Sequence, residues 1–435
     1  MADSDTKTSN SLELLPPELQ YRILQNIADP KTLLSLIRAS PRYLQVFRQR
    51  RNIIISQVIC NYISPGVLPV ALEVLARRRF RGQGLDRAEV GTFVEGFPDT
   101  LPETEGEISF ETSLELLSFH NLVEEFMEEF AIERLAIITQ QLHPKRGLSD
   151  DTSLTRTENI RLSRAFYHLE LYGLLFSPLP STQDVSTVTD QSAAFLKSIT
   201  EGQLESLLCV RLFLVERVTI FLDQVEEDFM EDLVSLGPHP FHQNLSSRWE
   251  DSDWFFAEDM HPVLQEAWRE HCLTRGLSAL KPMFNAASAE ARCDLVGDTS
   301  FPETTIEKAL SLVDDQRKSE PWPRSHTVDD SDSWAKTLSW AWGNKYPHVS
   351  NSERGGGIRR WGYIIWDQHR LESLGVYKFS TWEVSKGCLL DLGRSHRKCV
   401  QDRAREQSEA WEKEGLLDDW KDEPKGPWHA YYLEE

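Results

Sequence analysis

The sequence predicts a mainly α protein, in which a small N-terminal unit of three helices precedes a larger helical body with a Trp-rich C-terminal region. Apolar residues recur every three or four positions over long stretches, which is typical of helices that bury one face. Proline repeatedly stands just before such a stretch, where it favours a helix start. The alternation of apolar and polar residues that marks a strand is scarce, and RRWGYIIWD is the best short candidate.

The first predicted helix begins at the proline pair of LPPELQYRIL. Proline is tolerated in the first turn of a helix, because the amide that it lacks would have no helical partner there. Leu19, Ile23 and Ile27 follow at a spacing of four and form one apolar stripe. Pro16 and Pro17 therefore start a helix rather than break one.

The other two helices of the unit are predicted to begin in the same way. Asp29 offers a capping carboxylate before Pro30, and Ser40 precedes Pro41 at the start of a long third helix that runs to Tyr62. A unit of about 50 residues cannot bury much apolar surface alone. We therefore expect it to complete its core against a partner or against the rest of the chain.

The segment LPPELQYRILQNIADPKTLLSLIRASPRYLQVFRQRR resembles the F-box. That motif begins Leu-Pro-x-Glu-Leu and continues with a paired Ile-Leu, an acidic-Pro turn, a Leu-rich second helix and a third helix led by Ser or Cys. The Ser-Pro-x-Tyr start of the third helix is similar to the version common in filamentous fungi, and the resemblance covers residues 12–62. The matching positions are Leu15, Pro16, Glu18, Leu19, Ile23, Leu24, Asp29, Pro30, Leu33, Leu36, Ser40 and Tyr43.

The resemblance implies docking onto the Skp-type linker of a cullin ubiquitin ligase, with the apolar groups of the first two helices packed against that linker. An apolar helix face of this kind suits a helix-in-groove partner. The alternative is an ordinary helical subdomain that packs on its own body. The residues that the resemblance assigns to the linker contact are Leu15, Pro16, Leu19, Ile23, Leu24, Ile27, Leu33 and Leu36.

Beyond this unit, helical periodicity predicts one connecting helix, then a basic loop and a Pro/Glu-rich linker. Long helices are expected at 112–142, 155–176 and 201–233, with a loop at 177–192 and shorter patterns after about residue 240. No repeat is visible. The predicted organisation is a disordered N-terminus at 1–11, the F-box at 12–62, a connecting helix and linker at 63–100, and a helical body at 101–435 whose split near 235–245 is left open.

Composition narrows the class of protein. Of the 435 residues 40 % are hydrophobic, enough for a sizeable core, and no apolar run is long enough to span a membrane. Residues 1–90 carry 13 Lys and Arg against 8 Asp and Glu, whereas the rest carries 34 against 61. So acidic a body disfavours nucleic-acid binding. The six dispersed cysteines and the polar start predict a cytoplasmic or nuclear protein without a secretory signal.

Four short motifs resemble functional signatures but fit simpler interpretations better. The basic run at 77–84 fits the solvated C-terminal end of a helix better than a nuclear-localisation signal or a phosphate-binding patch. The glycine-rich run at 353–362 lacks the lysine and the strand of a phosphate loop, and the acidic run at 249–261 lacks EF-hand order. Cys388–Cys399, with one histidine, is spaced too widely for a zinc knuckle. The sequence thus predicts no catalytic residue, no cofactor and no metal site.

Tryptophan is concentrated near the C-terminus, where seven of the 13 lie between residues 322 and 382. A second core is the favoured interpretation, because Trp fills volume where Leu and Ile are scarce. An aromatic groove for a target peptide is compatible with it, because Trp and Arg dominate binding hot spots. The residues predicted for the edge of such a groove are Arg359, Arg360, Trp361, Tyr363 and Trp366.

Taken with the resemblance, these features predict a non-enzymatic adaptor of an SCF-type cullin ubiquitin ligase. The F-box would bind the Skp-type linker and through it a cullin, and the body would hold a protein target near the charged enzyme. Two alternatives stay open: a scaffold that binds the linker without cullin, and an enzyme or ligand-binding body with a structural helical N-terminus. The sequence names no target, and neither a nucleic acid nor a membrane is expected as a partner.

Overall fold

The computed structural model describes residues 11–79, 86–98, 101, 108–144, 152–176, 185–236, 262–296, 306–317, 331–342, 357–381, 406, 410, 413 and 414. Within these ranges every regular element is helical, which confirms the predicted class. Short 3-10 helices span Ser11–Leu14 and Val376–Lys378. The α-helices are α1 (Pro17–Gln25), α2 (Pro30–Ala39), α3 (Pro41–Gln49), α4 (Arg51–Tyr62), α5 (Leu68–Arg78), α6 (Arg87–Gly96), α7 (Phe110–Leu142), α8 (Arg156–Phe176), α9 (Val185–Ser198), α10 (Glu201–Leu236), α11 (Pro262–Thr274), α12 (Leu277–Phe284), α13 (Ala289–Val296), α14 (Ile306–Arg317), α15 (Ser331–Trp342) and α16 (Gln368–Ser373).

The N-terminal unit has four helices where three were predicted. Its expected long third helix divides at Arg50, whose φ of −136° and ψ of 37° are not helical. α3 buries one face only, through Tyr43 and Val46. α4 is buried on several sides because α1, α2, α3 and α7 all pack against it. A straight helix could not serve both surroundings, so the break at Arg50 redirects the chain into the core.

The body is built on three long helices, α7, α8 and α10, and all three were predicted. α5 and α11 pack on α8, while α12 and α13 pack on α10. α6 and α9 were missed: α9 begins at Val185, inside the stretch expected to be a loop as far as residue 192, and continues to Ser198. Its Ser- and Thr-rich sequence hides an apolar spacing that buries Val188 and Phe195. α4 packs on α7, and one hydrophobic core runs from the N-terminal unit into the body.

The candidate strand RRWGYIIWD is wrong: residues 357–366 form a helical turn followed by further turns. The segment lies among the three long helices of the body. Arg161 of α8 donates to the carbonyls of Ile365 and Trp366, and the Trp366 ring lies 6.0 Å from that of Phe130 on α7. A run of aromatic and β-branched residues resembles a strand, but here it fills the gap between helices.

Gly362 is the backbone position on which this segment depends most. Its φ is +64°, and a Cβ there would lie 2.7 Å from Phe130 Cζ. We expect Gly362→Ala to destabilise the fold by about 3 kcal/mol, because backbone strain and a clash in a packed core add. Gly375→Ala is the matched control: φ is +74°, but the nearest atom is 3.7 Å away. Urea unfolding of both variants checks this, and equal midpoints would contradict the assigned role of the Phe130 contact.

Candidate functional site

The N-terminal unit presents an apolar surface that the sequence predicted in part. Pro16 is exposed, Leu19 is 45 % exposed, and Leu15, Ile23 and Leu36 are half-buried. These five side chains are accessible to a partner. We call Leu12, Leu14, Leu15, Pro16, Leu19 and Ile23 the N-terminal apolar surface.

Three of the residues that were assigned to the linker contact lie in the interior of the unit, so that part of the prediction is wrong. Leu24, Ile27 and Leu33 are at most 8 % exposed, because α1 and α2 pack on α3 and α4. They stabilise the unit itself and are not available to a partner. The expected need for outside burial is also met within the chain, since α4 packs on α7. Any case for a partner therefore depends on the leucines that stay exposed.

Two of those leucines were missed by the sequence analysis. Leu12 and Leu14 are 55 % and 64 % exposed on the 3-10 helix that precedes the proline pair. Hydrogen bonds fix this helix to the unit: the Gln20 side-chain amide and the Arg42 guanidinium both donate to the Glu13 carbonyl. Both lie inside the predicted F-box span of 12–62, but they precede Leu15, the first position that matches the motif, so the resemblance assigned them no contact.

The turn between α1 and α2 is also held by side chains. Asp29 caps α2 by accepting from the Thr32 amide at 2.8 Å and from its hydroxyl at 2.6 Å, and these bonds lower the pKa of the carboxyl. Asn61 of α4 donates to the carbonyls of Gln25 and Ile27. The turn that joins the two helices is therefore fixed by side chains of the unit itself.

The predicted edge of a target groove lies in the interior instead. Trp361, Tyr363 and Trp366 are at most 1 % exposed and Arg359 is 5 % exposed, while Arg360 is half-buried with its Nε 3.0 Å from Glu216. They pack there because the segment fills the space among α7, α8 and α10. The structure thus contradicts an exposed groove edge at these side chains. Trp361 and Trp366 belong to the same hydrophobic core as the long helices and the N-terminal unit, so they do not form the predicted second core.

A buried ion pair anchors the same segment to α10. The Arg359 guanidinium donates to both carboxylate oxygens of Glu205, at 3.0 and 2.9 Å, and the Tyr363 hydroxyl donates to Glu205 at 3.0 Å. Both charged side chains are at most 6 % exposed. Arg359 is therefore occupied as a structural cation and cannot contact a target.

The other motifs add no site within the described residues. At the end of α5, Arg77 pairs with Glu73 and Arg79 with Glu115, while residues 80–84 of the basic run lie outside the described residues. The acidic run at 249–261 and Cys388–Cys399 lie outside the described residues. Among those that are described, no three His, Cys, Asp or Glu side chains are grouped to hold a metal ion. None of the described helices is long and apolar enough to cross a bilayer.

An open groove of about 880 Å³ lies between the N-terminal unit and the body. The start of α2, the end of α4, one face of α7 and residues 152–154 line it. Tyr62 donates a hydrogen bond to Glu124 in its wall. Behind that wall, His120 Nδ1 lies 3.0 Å from the Tyr167 hydroxyl. His120 is only 4 % exposed, so it supports the wall and does not reach a ligand.

Because two histidines are buried, we expect the free energy of unfolding to decrease in mild acid. Burial lowers the pKa of His120 to about 4 and that of His168 to about 3, against an ordinary value of 6.5. Between pH 6.5 and 4 these histidines are protonated in the unfolded chain but not in the folded chain. The free energy of unfolding therefore has its full value above pH 6.5 and decreases below it. We expect a loss of about 1.4 kcal/mol per pH unit for each histidine. Urea unfolding over this range checks it; a slope that His120→Gln leaves unchanged would contradict the assignment.

Comparisons with protein-family models, with curated proteins and with solved structures give no match to this chain. The resemblance to the F-box thus depends on the N-terminal residues alone.

Proposed function

We propose that this chain is a substrate-recruiting adaptor of an SCF-type cullin ubiquitin ligase, which docks on the Skp-type linker through its N-terminal apolar surface. The observation that carries the proposal is a concentration of exposed leucines. Of seven strongly exposed large apolar side chains in the described part of the chain, three lie at positions 12, 14 and 19. Isolated exposed leucines are ordinary, but a cluster of them marks an interaction site.

The geometry of the surface supports a preformed docking site. The 3-10 helix is bonded to α1 and α3 through the Glu13 carbonyl, and the Tyr43 hydroxyl lies 3.4 Å from the Leu12 carbonyl. Less conformational entropy is lost on binding when the contacting groups are already ordered. The surface therefore suits a partner that accepts a rigid pair of helices into an apolar groove.

In this proposal the chain does no chemistry of its own. An adaptor raises the effective concentration of a target lysine near the ubiquitin-charged enzyme. The amine of that lysine is the nucleophile, and the charged enzyme carries the ubiquitin thioester that it attacks. The titratable side chains described above fit such a role: His120 and Glu205 are buried and engaged in structural contacts.

Co-purification tests the proposal. The intact chain, co-expressed with a Skp-type linker and a cullin, is expected to pull down both. Recovery of the linker without cullin would favour the scaffold alternative. If neither is recovered while the chain is folded by circular dichroism, the adaptor proposal fails and a structural role for the N-terminal unit replaces it.

A further inference from the structure

We propose that the groove between the N-terminal unit and α7 binds a peptide segment that carries a lysine or arginine next to an aliphatic residue. This inference deepens the proposed function, on which it rests for its biological meaning, because such a segment would be the recognition element of the target. The volume of the groove, about 880 Å³, lies in the range of known ligand sites.

The apolar part of the site comes from both sides of the groove. Leu34 of α2 is 43 % exposed on one side, and Ile132 of α7 is 54 % exposed on the other. The half-buried Leu117 and Leu154 add to the lining. These side chains offer contacts to an aliphatic group and lie outside the N-terminal apolar surface.

The charge of the groove selects the occupant. Glu124, Glu128 and Ile132 share one face of α7, because residues four apart in a helix are neighbours. Neither glutamate has a Lys or Arg partner among the described residues, and the Tyr62 hydroxyl that bonds Glu124 is neutral. His120 behind them carries no charge at neutral pH, since burial holds its pKa at about 4. In the described lining the only cation is Lys31.

The next face of the same helix shows the contrast. Glu125 and Glu129 lie 3.0 and 2.8 Å from Lys281 Nζ, and Glu129 and Glu133 pair with Arg217. Those carboxylates are neutralised within the chain, whereas the groove-facing pair is left to attract a cation from outside. An anionic membrane surface or a nucleic acid would be repelled, which leaves a basic peptide with an apolar neighbour as the complementary class.

Selection from a library of random linear peptides against the intact chain tests the inference. We expect enrichment of sequences that place Lys or Arg next to Leu, Ile or Val. The best enriched peptide, fluorescently labelled, should bind Glu124→Gln/Glu128→Gln about tenfold more weakly in an anisotropy titration, because two partly screened charge contacts are lost. Glu128→Gln alone keeps the Tyr62 bond and should show a smaller loss.

The matched control removes the same charge elsewhere. Glu89 and Glu95 are exposed on α6, outside the lining, and Glu89→Gln/Glu95→Gln should bind the peptide as the unmodified chain does. No enrichment, enrichment of acidic peptides, or equal binding by the groove and control variants would overturn the inference. No linker is present in this assay, so its failure is distinct from a failure of the linker to bind.

Discussion

Replacing Glu205 with glutamine is expected to lower the free energy of unfolding by about 3–5 kcal/mol, the range for a buried ion pair that loses one partner. The Arg359 guanidinium would keep its charge in the interior, with its two carboxylate hydrogen bonds reduced to bonds with a neutral amide. The Tyr363 hydroxyl would lose a charged acceptor as well. Denaturant unfolding measures the loss.

Two further variants test whether the loss of stability comes from leaving a charge buried and not merely from losing an ion pair. Glu372→Gln breaks the exposed pair with Lys336 and should leave the midpoint nearly unchanged, because exposed pairs contribute little. The double variant Glu205→Met/Arg359→Met should be more stable than Glu205→Gln, since no buried charge is left without its partner. If Glu205→Gln cost no more than Glu372→Gln, the pair would not be the anchor of the segment at 357–366.

The second large effect concerns the N-terminal apolar surface. Leu14→Asp/Leu19→Asp is expected to weaken binding of the Skp-type linker at least a hundredfold. Each buried leucine contributes about 1.5–3 kcal/mol, and a tenfold change in Kd corresponds to about 1.4 kcal/mol. Both side chains are exposed, so the variant should keep the thermal stability of the unmodified chain. Biolayer interferometry with purified linker measures the change.

Ile220→Asp provides the matched control for this variant. Ile220 of α10 is 49 % exposed, close to the 45 % of Leu19, but it lies outside the N-terminal unit. It should bind the linker as the unmodified chain does. A substitution at Leu24 would not be informative, because that side chain is fully buried and its loss would unfold the unit. Equal binding of the linker by the double variant and by Ile220→Asp would contradict the proposed docking surface.

Local signals in the sequence were sufficient to predict where the first three helices start. α1, α2 and α3 begin at Pro17, Pro30 and Pro41, as the position of proline within the first turn requires. Asp29 caps α2 as expected. These features depend only on residues a few positions away, so they can be predicted from the local sequence.

Contacts between distant residues could not be predicted in this way. Glu205 and Arg359 are separated by 154 positions, and nothing near either residue shows that they pair. The burial of Trp361 and Trp366 follows from the space among α7, α8 and α10, which no local pattern describes. The groove could not be predicted for the same reason. In the sequence Glu124 and Glu128 resemble ordinary surface glutamates, and only the packing of α4 on α7 places them in the lining of a groove.

Hydrogen–deuterium exchange of the intact chain, with and without saturating Skp-type linker, tests the central claim most directly. If the chain docks through the N-terminal apolar surface, amides in residues 11–25 should exchange more slowly in the complex, and those of α10 should not change. Absence of a complex, or protection confined to the body with residues 11–25 unaffected, would contradict the proposed adaptor function.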